Sequence, residues 1–72
     1  MQLLGAIEKI SASGKLIVRA SGKLNLRIGQ KVFLNKRPIG RIYDVIGPVS
    51  KPWVLIDVEN PDGLVGKKVY LG

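Results

Sequence analysis

Four serines and three closely spaced carboxylates are the groups in this chain whose types could do chemistry. A serine becomes a nucleophile only with a base beside it, most often histidine. The sequence holds no histidine, and Ser11, Ser13, Ser21 and Ser50 all fall at expected strand ends or turns. Twelve lysines and arginines on a solvated surface single out none of them as a base. Asp57 and Glu59 would share one strand face, as a paired acid–base or cation site requires. A solvated strand face gives the same spacing, and Asp62 is explained by the turn before Gly63. With neither histidine nor cysteine, zinc and most transition metals lack their usual ligands. Gly14, Gly22 and Gly29 lack the strand–helix setting that a phosphate-cradling loop needs. The expectation is no catalytic residue, no metal, no cofactor, and a protein that is not an enzyme.

What remains is binding, and composition bounds it. The 72 residues allow one domain, 1–72, near the lower size at which a single core holds without staples. The lack of cysteine suits a reducing compartment. Met1-Gln2-Leu3-Leu4-Gly5 lacks the basic and apolar stretches of a signal peptide, and no segment approaches the roughly 20 apolar residues of a membrane span. A soluble intracellular domain with no membrane partner is expected. The net charge is +7 with a pI near 10.2. Residues 1–41 hold nine Lys/Arg against Glu8 alone, whereas residues 42–72 hold three against four acids. A basic half on so small a domain fits nucleic acid or a ribonucleoprotein setting.

The elements that must position any site follow a period of two. Leu16, Val18 and Ala20 fall on one face, with Lys15, Ile17 and Arg19 on the other. Residues 30–35 alternate again, and Val54, Ile56 and Val58 group together. Turn chemistry recurs at Ser13-Gly14, Ser21-Gly22, Asn35-Lys36-Arg37-Pro38, Gly47-Pro48 and Asn60-Pro61-Asp62-Gly63. The pattern predicts six strands, near Leu4–Ser11, Lys15–Ala20, Gln30–Asn35, Gly40–Ile46, Trp53–Val58 and Lys67–Leu71. Short strands at this spacing predict an all-β, small closed antiparallel-type barrel, because closure removes exposed edges.

The segment from Gly40 to Val58 carries the most information. Two β-branched runs flank a loop in which Gly47 gives backbone freedom and Pro48 and Pro52 give stiffness. A preorganised apolar loop loses little entropy on docking, and Trp53 offers the large rigid area typical of an interface hot spot. The expected partner-binding set is Ile42, Tyr43, Asp44, Val45, Ile46, Gly47, Pro48, Val49, Pro52 and Trp53. The competing reading is a tight barrel corner with Trp53 turned inward. Single-strand RNA binding needs a basic groove with aromatic platforms. Of the four aromatics only Phe33 lies in the basic half, so weak RNA contact is expected at most, at Lys31, Lys36, Arg37 and Arg41.

The run Gly40-Arg41-Ile42-Tyr43-Asp44-Val45-Ile46-Gly47-Pro48-Val49-Ser50-Lys51-Pro52-Trp53-Val54 resembles the signature of the glycine–arginine-rich protein subunit of H/ACA ribonucleoproteins, in its archaeal form. That pattern is a glycine, a strand ending in Asp-Val, an aromatic or aliphatic residue, Gly-Pro-Val, then a proline and an aromatic. The likeness extends more weakly to Gly5, to Leu16–Arg19, and to Gly66 with Val69-Tyr70-Leu71. It implies a six-stranded barrel of the translation-protein/reductase-like kind, without activity of its own. It further implies docking on the pseudouridine synthase catalytic subunit, away from guide RNA, with an influence on that enzyme's thumb loop and hence on substrate turnover. Guide and target RNA would then be met indirectly or weakly. Location would be cytoplasmic for an archaeal member and nucleolar for a eukaryotic one. The Gly-Arg-rich tails of eukaryotic members and the lysine-rich tails of many archaeal ones do not occur in this sequence. Two alternatives share the pattern: a free-standing basic RNA-binding barrel, and an H/ACA assembly factor built on the same barrel.

Overall fold

The computed structural model describes residues 2–20 and 24–72. Six strands run as β1 (Gln2–Ile10), β2 (Leu16–Arg19), β3 (Lys31–Leu34), β4 (Arg37–Ile46), β5 (Trp53–Val58) and β6 (Lys68–Leu71). They close into an antiparallel barrel in the order β1-β2-β5-β4-β3-β6. The expected Ser21-Gly22 turn lies outside the described residues. Alternation does what the sequence pattern requires: Leu16, Val18, Ala20, Val32, Val54, Ile56, Val69 and Leu71 are buried, joined by Leu4, Ile7 and Ile42. No buried polar or charged residue interrupts this core among the described residues.

Two long strands do the closing. The first half of β1 pairs with β6 and the second half with β2, while β4 pairs with β3 at its start and β5 along the rest. Each has two register shifts along its length, and such bulges bend a strand so that it can serve both neighbours in a narrow barrel. Gly40 sits at the bend of β4, where a Cβ would collide with the Asp57 carbonyl oxygen and lie 2.7 Å from Val58 Cγ1. No larger residue fits between β4 and β5 at that point.

Strand bounds shift from expectation most at β4, which starts at Arg37 rather than Gly40. The expected four-residue turn Asn35–Pro38 is a two-residue one: Asn35 and Lys36 have φ of 50° and 66°, and Leu34 pairs with Arg37 directly. Positive φ at both central residues matches strand twist in a tight hairpin. Pro38 is then exposed inside a strand, next to the shift that leaves Ile39 without a register partner, a place where a missing N–H is tolerated.

Candidate docking surface

The β4–β5 hairpin builds the expected site. Ile46 and Trp53 are its closing pair, and residues 47–52 connect them. Gly47 has φ +92°, and a Cβ there would lie 3.3 Å from the Trp53 ring, so glycine lets the chain fold back over the indole. Val49 at the tip is 88% exposed. An open depression of about 320 Å³ lies beside the tip, lined in part by Leu24, Leu26, Val45, Pro48 and Val49.

The outer face of the sheet continues this surface. Register places Arg19, Trp53 and Ile46 in one row across β2, β5 and β4, and Ile17, Leu55 and Asp44 in the next. Tyr43 is the extra residue of the bulge between Ile42 and Asp44 and turns outward, 55% exposed. Lys15 Nζ lies 4.7 Å from the Tyr43 ring centroid and 3.6 Å from Asp57 Oδ1. The Arg19 guanidinium lies 4.3 Å from the Trp53 centroid. Cations stand over both rings, and with Asp57 beside Lys15 and Asp44 in the second row the charge bordering this apolar area is mixed.

Two residues expected at the interface do not belong to its surface. Ile42 is 1% exposed, because it faces Ile56 across the sheet and its N–H and carbonyl bond to Gln30 and Gly29. Pro52 is buried, and its carbonyl accepts the Ala20 N–H at 3.0 Å. Both shape the barrel end. Val45 packs against the core from a half-buried position. Asp44 accepts the Val45 N–H at 2.8 Å through Oδ1, capping an amide beside the bulge. Tyr43, Ile46, Gly47, Pro48, Val49 and Trp53 remain as accessible members. Ile17, Leu55 and Arg19 were missed, although period two puts Ile17 and Arg19 on the outward face of their strand. Leu24 and Leu26 were missed because they lie between β2 and β3, outside any alternating strand pattern, yet they pack on the core.

Among the described residues, some of the groups considered for chemistry have local structural partners, Asp57 with Lys15 being one. Ser11 Oγ accepts the Lys15 N–H at 3.0 Å and lies 3.0 Å from Ser13 Oγ. The Asp62 N–H donates to Asn60 Oδ1 in its turn. Among the described residues no group of three or more acidic, histidine or cysteine side chains could hold a metal. None of those residues forms a helix long and apolar enough to cross a membrane. Lys31, Lys36, Arg37 and Arg41 are all exposed, with Lys31 directly opposite Arg41 and the other two at the β3–β4 hairpin.

No family model matches the chain. Over 65 residues it is 32% identical to the uncharacterized protein MJ0782.1 of Methanocaldococcus jannaschii, covering 90% of this chain and 80% of that protein. The chain belongs to the family of that protein. An alignment of this length takes in β2 through β5, so the relationship between this chain and MJ0782.1 includes the β4–β5 hairpin.

Proposed function

We propose that the chain is a non-catalytic subunit of an H/ACA RNA-guided pseudouridylation particle. It docks on the pseudouridine synthase catalytic subunit through the β4–β5 hairpin and promotes turnover through that enzyme's thumb loop. The observation that carries this reading is the hairpin itself: an 88% exposed valine on a stiff loop, continuous with Trp53, Ile46 and Tyr43 and with a cation over each ring. The resemblance of Gly40–Val54 to the subunit's signature supplies the partner. A subunit without catalytic groups speeds a reaction only by binding one conformation of its partner better than another. The loop and the outer edge of β4 are the surfaces available for such a contact with the thumb loop in its open position.

The test compares pseudouridylation by the reconstituted particle with and without this chain, under single- and multiple-turnover conditions. Lids and product release often limit turnover, so the multiple-turnover rate rises more than the single-turnover rate. An equal rise in both would assign the chain to the chemical step or to assembly, and no rise in either would remove the turnover role.

A further inference from the structure

The side of the barrel farthest from β5 carries a second surface that docking does not use. In the closed order β6 lies three strands from β5 in either direction. Phe33 on β3 is directly opposite Tyr70 on β6. Their strand neighbours Val32, Val69 and Leu71 are buried, so both rings alternate to the outside, each half-buried. Directly opposed side chains on adjacent strands have Cβ atoms about 5 Å apart. The row continues to exposed Pro38 on one side and to Leu3, 48% exposed, on the other. Gly72 packs against one edge of the Phe33 ring, where a Cβ would come within 2.5 Å of Cε1.

The charge around the aromatic pair itself is basic, while at the Pro38 end of the row Asp57 and Glu59 line a neighbouring depression. Lys31 precedes Phe33 by two residues and Lys68 precedes Tyr70 by two, so on antiparallel strands they flank the aromatic pair from opposite ends. Residues 31–43 and 64–72 contain no Asp or Glu. An open depression of about 300 Å³ borders Tyr70, lined by Leu34, Asn35, Lys67 and Lys68. Aromatic faces set among cations are the recognition chemistry of unpaired nucleotides: bases stack on the rings while the ammonium groups meet the phosphates.

We infer that the β3–β6 face binds single-stranded nucleic acid, with Phe33 and Tyr70 as the stacking platform and Lys31 and Lys68 on the phosphates. Two aromatic rings serve two or three nucleotides, so the contact is weak and tolerant of sequence. Because the row meets β4 at Pro38, near the start of that strand, and the Gly47–Pro52 loop follows its other end, a chain held by protein at the loop keeps this surface free for an RNA strand.

The test is fluorescence anisotropy of a labelled 12-nucleotide single-stranded RNA with the full chain, against the same sequence as a duplex and against an acidic peptide of equal charge. The single strand binds more tightly than either competitor. Tyr70→Ala weakens it about tenfold, as loss of one stacked base does. Lys68→Ala lowers the slope of log K against log salt by about 1. Tyr70→Leu, which retains packing on the barrel, reproduces the loss with an unchanged circular dichroism spectrum, and Val49→Asp leaves RNA affinity as it was. Equal affinity for strand and duplex, equal affinity for the acidic peptide, or wild-type binding by folded Tyr70→Leu would each overturn the assignment.

Discussion

Arg19 and Trp53 face each other across β2 and β5, with the guanidinium 4.3 Å from the indole centroid. This contact explains how a large aromatic stands on the outside of a barrel without being fully exposed. A cation over an aromatic face near the surface contributes about 0.5–1 kcal/mol. Arg19→Ala is therefore expected to lower stability by less than about 1 kcal/mol while shifting the emission of the single tryptophan to the red. Trp53→Ala is expected to weaken synthase binding by about 2 kcal/mol or more, as a hot-spot residue does. Denaturant unfolding and a binding titration separate the two effects.

Ile42 and Tyr43 are neighbours with opposite consequences. Ile42 is in the core at 1% exposure, and Tyr43 stands out of the bulge. Ile42→Ala is expected to lower stability by about 2–5 kcal/mol through the cavity it leaves. Tyr43→Ala, which also loses its contact with Lys15, should cost stability less than about 1 kcal/mol. Comparable unfolding midpoints for the two would contradict the placement.

Lys36 holds φ at 66° in the β3–β4 turn, a conformation that costs a residue with a Cβ about 1–2 kcal/mol. Lys36→Gly creates the Asn-Gly pair that such turns favour. After the extra chain entropy of glycine, a net gain of about 1 kcal/mol is expected, or a rise of about 4–8 °C in Tm for a domain of this size.

Gly40 faces the opposite constraint. Its missing Cβ is what allows the Asp57 carbonyl and Val58 to approach. Gly40→Ala is expected to force β4 and β5 apart at a cost of about 3 kcal/mol, the upper range for overpacking. That is a large share of the 5–15 kcal/mol typical of a whole domain, and thermal unfolding of the variant measures it.

The barrel was legible because alternation is a local signal. Leu16/Val18/Ala20 and Val54/Ile56/Val58 announce their inward face without reference to anything distant. The β4 start was not legible, because a tight Asn35–Lys36 turn and a tolerated Pro38 depend on pairing with β3 rather than on local propensity. The β4–β5 hairpin was read as one unit, yet Ile42 and Pro52 were assigned to its surface and are buried. The bulge at Tyr43 sets which residues of β4 face out, and no local pattern reveals a bulge. Tyr70 was read apart from the basic half because it lies 37 positions beyond Phe33 in sequence. Only closure of the barrel brings β6 beside β3.

Docking through the Gly47–Pro52 loop is tested most directly by calorimetric titration of the purified pseudouridine synthase catalytic subunit with this chain and with Val49→Asp. Val49 is 88% exposed and contributes nothing to the core, so the variant folds as the parent does. A saturable one-to-one complex with the parent chain is expected, weakened by about 2 kcal/mol, or some thirtyfold, in Val49→Asp. No binding by the parent chain, or equal affinity for both, would contradict docking through this loop.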